Sequence, residues 1–316
     1  MFSELPQLAL ELLGKAAHLA EQLGTETALI SMGKEEPVQM YIQQGADRVF
    51  VVKNSVLEAF QVDTYLDAIA SLANEHKPDV MLIGATRSGL ELAPRLAERL
   101  KTGCVTEATR LEPDAEKNFI VIDRLSYGGN LVETQISRAK PQIITIARGL
   151  FSTLPADPSR KGEIIEADPK IGSPNTRVLE TKPKVAKGVR LAEAPIIVSF
   201  GRGVRKKEDI ALIEQFAETL GGVIGCSRPI AEDLKWLPVE QYIGLSGQKV
   251  SPKLYFACGI SGQIQHLTGI RNSRIIVAIN NDPKAPIFEF CDYGIVGNLY
   301  EVVPTLTEQF KQLINK

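Results

Sequence analysis

The sequence has little of what marks a metalloprotein or a nucleic-acid-binding protein. Its 316 residues include three histidines and four cysteines, and no two cysteines form a C-x-x-C pair. A zinc or iron–sulfur site built by this chain alone is therefore not expected. Lys and Arg number 36 against 38 Asp and Glu, a formal net charge of -2, so no basic field is available to bind a nucleic-acid backbone or an anionic membrane.

Long hydrophobic runs are also missing. No stretch approaches the roughly 20 apolar residues of a membrane span, and the N-terminal apolar stretch contains Glu4 and Glu11, which a signal peptide avoids. We therefore expect no membrane span and a cytoplasmic, reducing location. The four cysteines are expected to be structural thiols, since free Cys packs as a small hydrophobe.

What the sequence does contain is ordinary globular composition, with 44% hydrophobic residues, on a length that favours two domains. Helical periodicity alternates with short apolar runs in the first half, which is typical of an α/β fold with buried parallel strands. The predicted helices span 6–23, 35–44, 62–76 and 89–100. The predicted strands span 28–30, 49–52, 80–83, 120–122, 131–136 and 143–147.

Proline and charge dominate from about 151 to 190, and this stretch is predicted to connect two domains, with one or two edge strands at most. Helices and strands then alternate again. The predicted strands here span 196–199, 222–224, 254–257 and 275–279, and the predicted helices span 208–220, 261–267 and the residues from 305. The fold class is thus two α/β domains: a doubly wound parallel sheet over 1–190, including the connection, and a Rossmann-like domain over 191–316.

A glycine turn follows the first predicted strand of the second domain. Ser199-Phe200-Gly201-Arg202-Gly203 contains G-x-G, but Lys206 occupies the place of the third glycine in the G-x-G-x-x-G fingerprint. A dinucleotide site and a simple strand-to-helix turn both remain open at this point. No G-x-x-x-x-G-K-[ST] motif occurs, so a P-loop is excluded.

Three further loops, 225–229, 243–247 and 259–266, also place small or hydroxyl residues after predicted strands or between them. Loops at the carboxyl ends of parallel strands converge on one crevice, so the four turns are expected to share one ligand. Ser261 and Gly262, at the start of a predicted helix, would offer free N–H groups to an anion. His266 lies more than one turn deeper, where the alternative is a packed core histidine.

The segment 254–269, Leu-Tyr-Phe-Ala-Cys-Gly-Ile-Ser-Gly-Gln-Ile-Gln-His-Leu-Thr-Gly, resembles the signature of electron-transfer flavoprotein α subunits. The likeness continues over 275–288 and 292–299, and in the first half at 82–89, 92–95 and 127–130. It covers essentially the whole chain.

This resemblance implies an α subunit that pairs with a β subunit through its N-terminal domain and carries FAD in its C-terminal domain. Such proteins are electron carriers rather than stand-alone enzymes. They pass electrons singly between dehydrogenases, such as acyl-CoA dehydrogenases, and a downstream acceptor, or take part in electron bifurcation with NADH and ferredoxin. The partner subunit would hold AMP or a second FAD.

The resemblance also assigns cofactor contacts by motif. Those at the flavin are Arg202, Ser227, Arg228, Ile243, Gly244, Leu245 and Ser246. Those at the pyrophosphate, ribityl chain and ring are Ser261, Gly262, Gln263, Ile264, Gln265 and His266. Those on the adenosine side are Asn280, Asn298 and Leu299. His266 and Arg228 are implied to tune the flavin potential, and no metal is implied.

Three positions depart from the family's usual residues. Leu245 stands where Gln is common, Ser246 where Thr is common and Asn298 where Asp is common. Ser246 keeps a hydroxyl, whereas Leu245 cannot replace an amide contact. Two other functions remain open from the residues alone: a non-redox adenine-nucleotide-binding module, and an NAD-dependent dehydrogenase that uses the incomplete glycine fingerprint.

Overall fold

The computed structural model describes residues 1–33, 38–114, 116–117, 119–174, 176, 178–180 and 191–314. The chain divides into two compact units, Met1–Lys182 and Pro183–Lys316. The domain boundary predicted at 190, the end of the proline-rich connection and the first residues of the helix predicted at 35–44 lie outside the described residues.

Helices of the first unit form where the sequence has apolar periodicity and clear end signals. They are α1 (Pro6–Leu23), α2 (Val38–Gln43), α3 (Val62–His76) and α4 (Arg87–Leu100). Gly24 ends α1 in the left-handed conformation with φ 63°, as predicted for a glycine stop. The Thr86 hydroxyl accepts the Gly89 N–H at 3.0 Å and so caps α4.

In the described part of the first unit, eight strands form two sheets. They are β1 (Ala28–Met32), β2 (Arg48–Val52), β3 (Val80–Gly84), β4 (Cys104–Asp114), β5 (Phe119–Ser126), β6 (Leu131–Gln135), β7 (Gln142–Ile146) and β8 (Glu163–Glu166). The sheet orders are β1-β2-β8 and β3-β7-β4-β5-β6. All pairs are parallel except β4 with β5 and β5 with β6, which are antiparallel. Phe2 pairs with Ile83, and the Ile30 N–H donates to the Met1 carbonyl, so the first two residues lie between the sheets.

The longest strand, β4, was not predicted. Its buried positions, such as Val105, Ala108 and Leu111, are separated by Thr, Glu and Arg, so it lacks the continuous apolar run of a strand buried on both faces. The edge strand β8 lies in the predicted connection and pairs with β2.

The second unit is one parallel sheet with helices between its strands. Its elements are β9 (Ile196–Phe200), α5 (Ile210–Thr219), β10 (Val223–Cys226), β11 (Leu254–Cys258), α6 (Ile264–Ile270), β12 (Ile276–Asn280), β13 (Tyr293–Val296) and α7 (Leu299–Ile314). The order β10-β9-β11-β12-β13 places the chain reversal between β9 and β11. Ligands bind at such a switch point, outside the carboxyl ends of the strands.

Two helices of this unit begin at other residues than predicted. α6 begins at Ile264 rather than Ser261, because Gly262 has φ +85° and the Ser261 carbonyl accepts the Ile287 N–H instead of a helical one. α7 begins at Leu299 rather than 305, and Pro304 lies within it. The edge strand β13 was not predicted, because three of its four residues are exposed and the fourth is half-buried, so it is not a buried apolar run.

Aromatic packing fixes the sheet against its helices. Phe216 of α5 is fully buried and meets Phe256 of β11 at a centroid distance of 4.9 Å, and each such side chain contributes roughly 1.5–3 kcal/mol by burial. Among the described residues, no helix combines the length and the apolar character needed to cross a bilayer.

Candidate cofactor site

A cleft of about 590 Å³ lies at the carboxyl ends of β9 and β11. The predicted residues that line it are Arg202, Ser227, Arg228, Ile243, Ser261, Gln263, Gln265, His266, Asn280, Asn298 and Leu299. The predicted residues that do not line it are Gly244, Leu245, Ser246, Gly262 and Ile264, which belong to the same segments, 243–247 and 259–266, as residues that do. The four loops thus meet as the strand-end argument predicts.

The glycine turns after β9 and β11 pack backbone against backbone. The Gly203 N–H donates to the Gly259 carbonyl at 3.1 Å, and a Cβ at Gly203 would lie 2.5 Å from the Gly259 Cα. Glycine is required here by this close approach. The next helix, α5, begins only at Ile210, so its N-terminus is not at the turn and the dinucleotide fingerprint loses its structural support.

The loop after β11 is held by Asn280. Its Nδ2 donates to the Ile260 carbonyl at 2.9 Å, and its Oδ1 accepts the Asp282 N–H at 3.0 Å. The Asn280 side chain, which projects from the end of β12, therefore supports the loop that contains Ser261. Asn280 also lines the cleft. Ser261 itself is exposed at the cleft wall.

His266 lies in the first turn of α6 and is only 7% exposed. Its Nε2 is 2.9 Å from the Tyr255 hydroxyl, and its buried Nδ1 has no hydrogen-bond partner of ordinary geometry among the described residues. Burial lowers the pKa of His266 to about 4, and the nearby Ile243 carbonyl acts in the opposite direction. The side chain is thus both a core residue and a neutral imidazole at the cleft wall.

The arginines at the cleft differ in their partners. Arg228 forms an ion pair with Glu232 at 2.5 Å, which raises the pKa of the guanidinium and offsets its charge. Arg202 is exposed and makes no ion pair or side-chain hydrogen bond within the described part of the chain. Arg205, which was not predicted, lies 5.9 Å from the Tyr300 ring centroid. Among the described residues, Arg202 and Arg205 are therefore the cleft arginines without a carboxylate partner.

The Asn298 side chain caps the N-terminus of α7. Its Oδ1 accepts the Tyr300 N–H at 3.2 Å, and its Nδ2 donates to Glu301 at 3.2 Å. The Tyr300 hydroxyl donates to Asp209 at 2.6 Å and accepts the Arg205 N–H at 2.8 Å. Tyr300 lines the cleft and was missed, although it directly follows the predicted Leu299.

The third loop also contains a residue that was missed. Tyr242 is buried, lines the cleft, and has its hydroxyl 3.2 Å from the Ser246 Oγ. Leu245 is 49% exposed, and its N–H donates to the Gln265 carbonyl at 2.6 Å. The Ser246 hydroxyl is therefore in contact with a protein side chain. Tyr242 was missed because no predicted strand ends beside it in the sequence.

The chemistry of the cleft suits an anionic nucleotide cofactor such as FAD. Three arginines line it and, among the described residues, no Asp or Glu does. Hydroxyl, amide and imidazole groups supply the remaining donors, and nucleotide sites combine such polar groups with apolar walls. The residues present therefore fit the cofactor that the resemblance implies.

The four cysteines are free thiols. Cys226 and Cys258 are buried, and burial raises the pKa of each thiol to about 12, whereas Cys104 and Cys291 are partly exposed. Within the described ranges, no three His, Cys, Asp or Glu side chains come together as a metal site requires. Inert buried thiols are not redox groups.

Comparison with known proteins gives a consistent picture. The electron transfer flavoprotein domain model matches residues 3–171, and the electron transfer flavoprotein FAD-binding domain model matches residues 190–271. The electron transfer flavoprotein subunit alpha of Thermoanaerobacterium thermosaccharolyticum is 42% identical, over 98% of this chain and 95% of its own length. That of Bacillus subtilis is 40% identical, over 90% and 87%. The lactate dehydrogenase (NAD(+),ferredoxin) subunit LctC of Acetobacterium woodii is 37% identical, over 94% and 71%.

Proposed function

Because the chain belongs to the electron transfer flavoprotein α-subunit family, we propose that the cleft at the ends of β9 and β11 holds its FAD. The observation that carries this proposal is the meeting of the four strand-end loops around a wall with three arginines and no lining carboxylate in the described residues. When bound, FAD supplies the one-electron redox chemistry. The chain's own residues bind it, orient it and exclude water.

The residues divide this work by their chemistry. Arg202, Ser261 and Gln263 offer a cation, a hydroxyl and an amide to the anionic pyrophosphate and its neighbours. His266 offers a neutral imidazole to the ring, since its pKa of about 4 keeps it uncharged at neutral pH. Arg228 acts through a charge that Glu232 partly offsets. Asn280, Asn298 and Leu299 are proposed to contact the adenosine part of FAD.

His266→Ala is expected to lower the potential of the first one-electron reduction of bound FAD. Reduction adds negative charge to the ring, and a hydrogen bond to a charged group contributes roughly 1.5–3 kcal/mol, which is roughly 65–130 mV for one electron. Spectroelectrochemical titration of the heterodimer measures the shift. An unchanged potential in His266→Ala, with FAD still bound, would remove His266 from the tuning role.

The partner proposed is an electron transfer flavoprotein β subunit on the first unit. Strand β6 there supports this, because Leu131 and Val132 are 55% and 66% exposed on an edge strand and such apolar surface favours a protein partner. The β subunit is proposed to hold AMP or a second FAD. A cytoplasmic location is part of the proposal, because four free cysteines suit a reducing compartment.

Electron donors and acceptors are also proposals. A flavin dehydrogenase, such as an acyl-CoA dehydrogenase, is one partner class. The name of the Acetobacterium woodii relative includes NAD(+) and ferredoxin, and this supports a bifurcating role with those carriers for the present chain as the second possibility.

Purification of the chain with its β subunit tests the proposal. We expect a yellow heterodimer that absorbs at about 450 nm, because the isoalloxazine ring of oxidised FAD absorbs there. One flavin per heterodimer indicates a simple carrier, and two indicate a bifurcating one. A colourless, folded heterodimer that binds only an adenine nucleotide would contradict the proposal and favour the non-redox module.

A further inference from the structure

The glycine turn after β9 places a second arginine at the cleft. Arg205 lines the cleft together with Arg202, and its guanidinium carbon lies 5.9 Å from the centroid of the Tyr300 ring, which lines the cleft as well. The family resemblance assigns no role to Arg205 or Tyr300. We propose that Arg205 binds a phosphate of the FAD pyrophosphate, and that Tyr300 is the positioning residue that holds Arg205 for this contact.

The backbone of Arg205 is held by the hydroxyl of Tyr300. The Arg205 N–H donates to this hydroxyl at 2.8 Å. Earlier in the same turn, the Gly203 N–H donates to the Gly259 carbonyl at 3.1 Å, and the Val204 side chain is buried. The turn is therefore fixed on both sides of Val204, and Arg205 has a defined position at the cleft wall.

The same hydroxyl engages the carboxylate that follows Arg205 in the sequence. The Tyr300 hydroxyl donates to Asp209 at 2.6 Å, and Asp209 does not line the cleft. Among the described residues, Arg205 forms no ion pair with Asp209 or with any other carboxylate. The guanidinium of Arg205 is therefore available to a ligand anion.

The aromatic ring of Tyr300 supports the side chain of Arg205. A guanidinium within about 6 Å of an aromatic centroid is attracted to the ring, and the observed 5.9 Å lies within this range. The ring is itself fixed, because the Tyr300 N–H donates to the Asn298 Oδ1 at 3.2 Å and its hydroxyl makes the two hydrogen bonds described above. Arg205 is thus held before a ligand binds, so that less side-chain freedom is lost on binding.

The chemistry of Arg205 indicates which part of FAD it contacts. A guanidinium presents its N–H donors in a planar fork that matches the oxygens of a phosphate, and the pyrophosphate is the anionic part of FAD. Tyr300 directly follows Asn298 and Leu299, which are proposed to contact the adenosine part. This role of Arg205, which rests on the proposed function, gives the pyrophosphate two arginines from one turn, Arg202 and Arg205.

Fluorescence titration of FAD onto the FAD-depleted heterodimer tests the role of Arg205. Arg205→Gln removes the charge and keeps a polar side chain. We expect this variant to raise the Kd for FAD about tenfold, because a charge-assisted hydrogen bond to phosphate is lost. Its Kd should also rise less with salt concentration than that of the wild type, since one screened charge pair is missing.

Lys206→Gln is the matched control for this charge change. Lys206 is the next exposed cation of the same turn, and it does not line the cleft. We expect Lys206→Gln to keep both the Kd for FAD and the salt dependence of the wild type.

The positioning role of Tyr300 is measured by its coupling to Arg205. Tyr300→Phe removes only the hydroxyl, and we expect it to raise the Kd for FAD about threefold in the wild-type chain but not in the Arg205→Gln chain, because the hydroxyl acts through the arginine. Equal effects of Tyr300→Phe in the two chains would show that the hydroxyl only supports the fold, and would overturn the positioning role.

The outcomes for Arg205 separate this inference from the proposed function. A wild type that binds FAD, with the same Kd in Arg205→Gln or with equal losses in Arg205→Gln and Lys206→Gln, would overturn the inference and leave the proposed function in place. A folded wild-type heterodimer that does not bind FAD would contradict the proposed function itself. Arg205→Gln decides even if Tyr300→Phe does not fold, since Arg205 is an exposed residue.

Discussion

The two units of the chain use the same alternation of strands and helices but arrange their strand ends differently. The five strands described in the second unit are all parallel, so their carboxyl ends reach one edge and the following loops meet there. In the first unit β5 and β6 run antiparallel at the end of the sheet and leave Leu131 and Val132 exposed. The parallel strands of the second unit bring their loops together at a cleft, whereas the antiparallel end of the first unit leaves apolar residues exposed at an edge strand, where we propose that the β subunit binds.

One glycine in the left-handed conformation from each unit shows how differently the two units tolerate an added side chain. Gly262 has φ +85°, and a Cβ there would lie 2.3 Å from the Ile287 nitrogen. Gly24 has φ +63° with nothing within 4 Å of a Cβ. Gly262→Ala is expected to cost about 3 kcal/mol or more and to release FAD, because overlap adds to the conformational cost. Urea unfolding and flavin content measure both effects.

The control for that change is Gly24→Ala in the first unit. Gly24→Ala has only the cost of a left-handed backbone conformation, about 1–2 kcal/mol. We expect this variant to retain FAD. Equal destabilisation by the two substitutions, with equal retention of FAD, would show that the Gly262 loop is not the constraint on the cleft that the structure indicates.

Acid sensitivity is expected to come in part from His266 in the second unit. Its pKa falls from 6.5 to about 4 on folding, so the unfolded chain binds the proton first as pH falls. The stability associated with a neutral His266 is complete above about pH 6.5 and is lost between about 6.5 and 4, a loss of about 3 kcal/mol. His266→Asn should flatten the dependence of unfolding free energy on pH over this window.

The comparison for this pH profile is His18→Asn in the first unit, since His18 is exposed on α1. We expect it to keep the slope of the wild type. A wild-type slope in His266→Asn would mean that other groups cause the acid sensitivity.

The smallest effect on the chain itself is expected at the exposed strand of the first unit. Val132→Asp should change the stability of the isolated chain by no more than about 0.5 kcal/mol, because Val132 is 66% exposed. It should weaken β-subunit binding by about tenfold, since a charge would be buried in the interface. Calorimetric titration with the β subunit measures this, and Ile164→Asp on the edge strand β8, 49% exposed, is the control. Equal weakening by both substitutions would place the interface elsewhere.

Elements with complete local signals were predictable. α1 and α3 match the predicted bounds, because apolar periodicity and end signals lie within each segment itself. Elements whose form depends on contacts between distant parts of the sequence were not predictable. The buried residues of β4 recur at every third position rather than at every second one, and the segment becomes a strand through its pairing with β5 and β7. α6 begins late because Gly262 and Ile287, far apart in sequence, meet in space.

The same division holds at the cleft. Its loops were predictable because strand ends can be read from the sequence, and the lining residues they carry stay predictions until FAD binding is measured. Pairings were not predictable: the contact of Arg228 with Glu232, and that of His266 with Tyr255, depend on side-chain directions. The choice between a packed and a ligand-facing His266 was open from sequence for this reason; the structure shows a buried side chain that lines the cleft, and its contact with a ligand stays a prediction.

The affinity of the heterodimer for FAD most directly tests whether the second unit's cleft holds the cofactor. Fluorescence titration of FAD onto the FAD-depleted heterodimer compares wild type, Arg202→Ala and Arg274→Ala, an exposed arginine outside the cleft. Loss of a charge-assisted contact of about 1.5–3 kcal/mol predicts a Kd about 10–100 times higher for Arg202→Ala and an unchanged Kd for Arg274→Ala. Equal Kd values for Arg202→Ala and wild type would contradict the assignment of this cleft.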